Sequence, residues 1–197
     1  LAFLDDDCLP APDWLTQLQA ALESAPGSAV GGRVVDGRPE DLCSAANQTI
    51  LDFVYEYYNT DWRHATFFAG MNLAVPADLY RRTGGFSQQY RTSEDRDFCA
   101  RWLGSGLGLV YAPEAVVVHC GAAGLCPFWR RHYEFGKGAY QFRGRHSKTS
   151  AGRIRMEPPA FYRRLLWAAF ARGFSLRAVC LSLLVGLSQF ASALGFL

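Results

Sequence analysis

Three short stretches carry the side chains able to do chemistry: Asp5-Asp6-Asp7, Glu94-Asp95 and His119. Asp5 and Asp7 stand two apart, directly after the apolar run Leu1-Ala2-Phe3-Leu4, which reads as a buried strand. Residues i and i+2 of a strand share a face, so both carboxylates can converge on one cation. Oxygen donors suit hard ions such as Mg2+ or Mn2+. Three consecutive acids repel one another, and a bound metal relieves that; a solvated acidic turn ahead of a helix accounts for the same residues. Glu94 and Asp95 open a helical pattern. Thr92 and Asp95 have capping-box spacing, which explains acids there without any chemistry. The other reading makes the carboxylate a general base, held ionised by the helix dipole. His119 ends the run Ala115-Val116-Val117-Val118, and a neutral imidazole at a strand tip can complete a metal site begun by carboxylates. A core or loop histidine fits the same position.

The elements that must position these groups follow from periodicity and punctuation. Leu15, Leu18 and Leu22 fall on one helical face, with Asp13 placed to cap it and Ala25-Pro26-Gly27 to stop it. Residues 29–35 read as a strand and 42–58 as a helix. Residues 66–75 read as a strand interrupted at Gly70, where a glycine marks a bulge or a close approach by another group. Gly84-Gly85-Phe86 is a turn, 94–103 a short helix, and 109–111 and 115–118 short strands. This alternation predicts a layered α/β fold. A strand at the first residue, with nothing ahead of it to pair with, suggests a fragment.

The organisation changes after His119. Residues 127–142 form a basic, aromatic helix, 144–159 a basic loop, and 161–174 an amphipathic interfacial helix carrying Arg163, Arg164 and Arg172. Residues 178–197 hold no charged residue, which suits a transmembrane helix; a buried C-terminal helix is the alternative. The arginines ahead of it, Arg177 included, favour a span with those charges in the cytoplasm. Charge divides the same way. Residues 1–129 hold eight Lys and Arg against sixteen Asp and Glu, and residues 130–197 hold twelve against two. The acidic part suits a divalent cation; the basic part suits phosphate or an anionic membrane face, and it matches no nucleic-acid module. The six cysteines show no two-residue pairing and read as small buried hydrophobes kept reduced.

Taken in order, these motifs resemble family 2 glycosyltransferases. Phe3-Leu4-Asp5-Asp6-Asp7-Cys8-Leu9-Pro10 with Asp13-Trp14-Leu15 resembles that family's metal-binding DXD segment. Gly70 to Pro76 resembles its next strand. Gly84-Gly85-Phe86, Ser93-Glu94-Asp95 and Asp97 resemble its acidic catalytic motif. His119 resembles the late metal-ligand histidine of several members. Phe128-Trp129-Arg130-Arg131 through Tyr133 and Gly136 resembles the helix that often follows. The resemblance implies an α/β GT-A (nucleotide-diphospho-sugar transferase) fold, N-terminally truncated, with C-terminal helices. Residues 1–145 would be the C-terminal part of the catalytic domain, 146–177 a basic linker with an interfacial helix, and 178–197 the membrane helix.

The activity implied is inverting, metal-dependent transfer of a hexosyl-type sugar from a nucleotide-diphosphate sugar to an acceptor hydroxyl, in cell-surface, glycolipid or polysaccharide synthesis. Mg2+ or Mn2+ would sit on Asp7 and His119, with Asp5 on the ribose or the metal shell. Asp95 would be the base, Glu94 would position the acceptor, and Gly70 would let sugar or acceptor approach the backbone. Arg130 and Arg131 would contact phosphate or lipid headgroups, unless they form a solvated face. The partners implied are the donor, a glycan or lipid-linked acceptor, and a membrane with the catalytic part facing the cytoplasm; nucleic acid is not among them. The processive synthases' Gln-x-x-Arg-Trp motif is absent, as Gln141-Phe142-Arg143 does not reproduce it, which argues for single-sugar transfer. Two other readings remain: an inactive membrane-anchored binding module of this type, and a metal-dependent hydrolase using Asp5, Asp7 and His119.

Overall fold

The computed structural model describes residues 1–147, 157–171 and 173–197, with backbone alone at 146 and 147. Among these residues, five strands form one mixed sheet and seven helices accompany it. The sheet order is β1 (Ala2–Leu4), β4 (Asn72–Ala74), β3 (Ala29–Asp36), β5 (Leu109–His119), β2 (Cys8–Pro10). β3 and β5 run parallel, and the other neighbours antiparallel. The chain divides into two compact units: Leu1–Gly37, Tyr55–Gln89 and Glu94–Gly121 in the first, Arg38–Val54, Tyr90–Ser93 and Ala122–Leu197 in the second.

The first unit is built on side-chain alternation. Ala29 joins a core with Phe68, Leu73, Phe98, Trp102 and Leu109, where α4 (Glu94–Gly104) packs. Its neighbour Val30 joins Leu18, Ala74, Ala112 and Ala115, where α1 (Trp14–Ser24) packs. The register of β3 against β5 slips between Gly32 and Arg33, so the sequence's two short strands, 109–111 and 115–118, are one irregular strand. That slip strands two carbonyls, and Asn72 answers them. Its amide donates to Arg33 O at 2.9 Å and Ala115 O at 2.8 Å, while its oxygen accepts from Trp14 Nε1 at 2.8 Å. Asn72 is fully buried and its amide is bonded at both ends.

Several local expectations give way to longer-range contacts. The strand expected over 66–75 shortens to β4, because 66–69 leave the sheet and Gly70-Met71 turn. The opening strand is not buried throughout: Leu1 and Leu4 are exposed, and only Phe3 packs inward, on Tyr80 and Phe86. It does find a partner, since β1 pairs with β4 and the Leu1 backbone nitrogen donates to Val75 O. Asp13 does not cap α1; its carboxylate accepts from Gln17 Nε2 instead. The short helix α3 (Ala77–Arg82) is an addition to the expected elements.

The second unit holds α5 (Leu125–Ser147), α6 (Pro159–Ala168), α7 (Leu176–Phe196) and the first turns of α2 (Leu42–Tyr58). α5 runs longer than the 127–142 expected, so the loop expected over 144–159 starts as helix and otherwise falls largely outside the described residues. The interfacial helix expected over 161–174 is α6, and Arg172 also lies outside the description. α5 and α7 meet backbone to backbone: a Cβ at Gly136 would land on the Ser192 carbonyl, and one at Gly195 on the Tyr133 carbonyl. Ser192 Oγ donates to His132 O at 3.0 Å across the same crossing. Such close approach by small residues is how helices pack where apolar burial gives little drive. α7 has mean hydropathy 1.8 over a window of which 17% is buried, so its apolar surface faces mostly outward. At about 1.5 Å per residue its length matches a bilayer's hydrocarbon core of about 30 Å. α7 is thus one C-terminal helix long and apolar enough to cross a membrane. Arg164 covers the Phe53 ring and Arg177 donates to Pro39 O, so neither is a purely solvated charge.

Candidate active site

In the first unit, Asp5 to Asp7 form a turn rather than the end of a strand, closed by Cys8 N–H donating to Asp5 O at 3.1 Å. The alternation argument for a shared face therefore does not apply. What brings the acids to His119 is pairing: β2 lies antiparallel to β5 with Cys8 opposite His119, and Cys120 N–H donates to Asp7 O at 2.7 Å. Asp7 Oδ2 lies 3.4 Å from His119 Nε2. Burial pushes the Cys8 thiol up to about 11, and the Asp5 and Asp7 charges add to the rise, so both carboxylates act on this corner. Among the described residues, however, no group of three or more His, Cys, Asp or Glu side chains is arranged to hold a metal. The structure joins Asp7 with His119 and leaves Asp5 out of a three-donor set.

The pair nonetheless fits a hard cation. Two ligands side by side on an octahedral ion with bonds of about 2.1 Å lie about 3 Å apart, close to the Asp7–His119 separation. Ions of the Mg2+ type keep waters and take substrate phosphates as ligands, so two protein donors suffice when the substrate brings the rest.

At the start of α4, Ser93 holds φ of 72°, in the left-handed region that costs a non-glycine residue about 1–3 kcal/mol. The expected capping box does not form; Thr92 Oγ1 donates to Glu134 O at 2.9 Å instead. Asp95 follows, half-buried by surface yet densely surrounded, with Oδ1 accepting from Arg96 N–H at 2.7 Å. Burial pushes its carboxyl up to about 6; the Arg96 charge and N–H oppose that rise, and the Glu94 charge adds to it. The helix dipole therefore does not hold Asp95 at an ordinary carboxylate value; desolvation outweighs it. The nearby Cys99 thiol is likewise pushed up to about 12, by burial first and with Asp95 contributing. Glu94 Oε2 is buried with no hydrogen-bond partner among the described residues.

Asp97, two residues on, is committed elsewhere. It is 5% exposed and accepts from Arg101 Nε at 2.7 Å, while Arg101 also donates to Thr83 O and Gly85 O at 2.6 Å each. The Gly84-Gly85-Phe86 turn, with φ of 83° and 59° at its glycines, is thereby clamped to α4. Sequence reasoning missed this clamp and the Asn72 hub, because both join residues far apart in the chain. A Cβ at Gly70 would meet only the Phe86 ring, at 3.6 Å, so the protein itself leaves room there for a methyl.

Arg130 and Arg131 belong to the second unit, on the first turns of α5, and neither has a hydrogen bond or ion pair among the described residues. All six cysteines are free; Cys8, Cys43 and Cys99 are buried as expected, whereas Cys126 is exposed.

The sequence matches Glycosyl transferase family group 2 over residues 1–197. The chain belongs to that family, and its mixed α/β architecture is of the GT-A kind. Among solved structures it is similar to a mannosyltransferase, PcManGT from Pyrobaculum calidifontis, in complex with GDP-Man and Mn2+. That likeness has a TM-score of 0.54 at 16% identity and covers 96% of this chain and 60% of the other. No curated protein matches this chain.

Proposed function

We propose that this chain is the metal-binding and catalytic part of a glycosyltransferase that acts at a membrane surface. It would move a sugar, with inversion, from a nucleotide-diphosphate sugar to an acceptor hydroxyl. The observation that carries the reading is the meeting of Asp7 and His119 at the sheet edge, in a chain of this family. The GDP-Man and Mn2+ held by the mannosyltransferase of like fold support a nucleotide-sugar donor and a divalent ion. A Mg2+ or Mn2+ ion on Asp7 and His119 would supply charge neutralisation of the diphosphate leaving group. Asp5 would contact the ribose or the metal shell. In transfer, the acceptor hydroxyl gives its proton to the Asp95 carboxylate as its oxygen bonds to the anomeric carbon. The bond from that carbon to the diphosphate breaks, and the nucleoside diphosphate departs with the electron pair. The unpartnered Glu94 Oε2 would receive a hydrogen bond from the acceptor and orient it. α7 would hold the chain at the membrane, with the catalytic part on the cytoplasmic side.

The two-donor metal corner favours one other reading, an inactive binding module of the same fold. Turnover separates the two. In the full-length protein, Mn2+ binding followed by electron paramagnetic resonance should weaken by about tenfold or more in Asp7→Ala and in His119→Ala. Sugar release should fall in parallel. Tight Mn2+ binding unchanged in both variants would remove this corner as the metal site, and Mn2+ binding without any turnover would favour the binding module.

A further inference from the structure

The second unit contains a cleft of about 530 Å3 beside the N-terminal turns of α5. That size lies within the range of about 300–1,000 Å3 typical of ligand pockets. Arg130 and Arg131 line it, and neither guanidinium is spent on a partner among the described residues. Glu134 lines it too, but Lys137 Nζ lies 3.1 and 3.0 Å from its two carboxylate oxygens, so its charge is answered and the cleft stays net positive. The remaining walls are largely apolar, with Pro127 and the exposed Phe135 ring among them. Two unspent cations beside apolar walls call for an anion attached to a greasy body. Arginine forks fit phosphate oxygens in particular.

One wall residue ties the cleft to the chemistry. Thr92 lines it, and Thr92 precedes Asp95 by three residues, so chain length alone keeps the two within about 11 Å. Thr92 is not loose: its hydroxyl donates to Glu134 O, and Gly138 leaves room for it, since a Cβ there would strike Thr92 Oγ1 and Ser93 Oγ.

We propose that this cleft holds the phosphate of an amphiphilic, lipid-linked acceptor, with Arg130 and Arg131 on the phosphate and the apolar walls on the first part of the lipid. The assignment rests on the transfer reading above and names the class of acceptor; it takes the two arginines away from the donor's diphosphate.

The test uses the chain in dodecyl maltoside micelles with dodecyl phosphate as probe, read by broadening of its phosphorus resonance. Arg130→Gln with Arg131→Gln should weaken binding by about tenfold or more, consistent with losing charge-assisted hydrogen bonds, at an unchanged thermal midpoint. The corresponding double lysine variant should fall between, keeping charge without the fork. Asp95→Asn should bind the probe like the parent, so a failure of the transfer reading and a failure of this site read out separately. Unchanged affinity in the double glutamine variant would mean micelle partitioning only and would overturn the proposal. So would displacement by an equal concentration of inorganic phosphate, which would mark a free-anion site. Displacement by an equal mole fraction of phosphatidylglycerol would make the cleft a headgroup site and sink the acceptor assignment.

Discussion

Asp95 in the first unit and His132 in the second are both ionisable groups driven off their ordinary values chiefly by burial, yet their surroundings differ in kind. His132 is closed in: its Nε2 is 2.9 Å from Asn47 Oδ1, and its ring lies 4.5 Å from Phe128 and 5.7 Å from Phe135, centre to centre. Burial, with the Arg131 charge adding, pushes it down to about 4, where it stays neutral and exchanges no proton near pH 7. Asp95 is pushed up to about 6, where it is largely ionised at pH 7 and can still take a proton. Depth of burial therefore does not by itself mark a reactive group. The direction of the shift, set against the working pH, separates a group held neutral in a packed core from one that can still exchange a proton.

The packed side of this contrast should break hardest at Gly136. Gly136→Val would drive a branched side chain into the Ser192 carbonyl, where neither backbone can yield, and should destabilise the second unit by about 3 kcal/mol. Thermal unfolding of the purified chain measures it; a loss under about 0.5 kcal/mol would mean that the α5–α7 crossing is looser than it looks.

A smaller effect sets the two groups directly against each other. Between pH 6.5 and 4 an unfolded His132 takes up a proton that the folded one refuses, so acidification should lower the second unit's stability. Asp95 has the opposite sign. Between about 6 and 4 its folded form holds a proton that the unfolded form releases, so stability from this group falls as pH rises through that window. Hydrogen-exchange protection, corrected for intrinsic rates, should drop at pH 4.5 relative to 7 in α5 and hold or rise in α4, by about tenfold per unit of pKa displacement at most. Parallel changes in both helices would erase the distinction.

The smallest effect lies at Gly70. Because only the Phe86 ring faces an added methyl, Gly70→Ala should leave stability within about 0.5 kcal/mol of the parent. If the missing side chain makes room for substrate, the same variant should raise KM several-fold at little change in kcat. Unaltered KM would leave Gly70 with a turn to make and nothing else.

What the sequence made legible was what local pattern controls. The sequence pattern placed the helix over 42–58 to the residue, and the run into His119 marked a strand tip. It misjudged groups whose partners lie far along the chain. Thr92 has the spacing of a cap, but Glu134 O, 42 positions away, takes its hydroxyl. Asp5 and Asp7 have the spacing of a strand face, but a turn separates them and cross-strand pairing brings Asp7 alone to His119. Asn72 has no local signal at all, since the carbonyls it serves exist only because two distant strands slip register. Asp95 was legible as an acid at a helix start; its raised value was not, because desolvation comes from the tertiary fold.

If Asp95 takes the acceptor's proton, its ionisation governs how fast transfer runs at each pH. In the full-length enzyme, kcat for sugar transfer should be followed against pH for the parent and for Asp95→Asn, with donor affinity measured alongside. The parent should gain rate with unit slope up to about pH 6 and then level off, as an acid of that strength ionises. Asp95→Asn keeps the shape and removes the basicity, so it should lose about 10²- to 10⁴-fold in kcat, lose the break near pH 6, and bind donor as before. Near-normal turnover in Asp95→Asn, with the break near pH 6 still present, would rule Asp95 out as the base and move the role to Glu94, since Asp97 is held by Arg101.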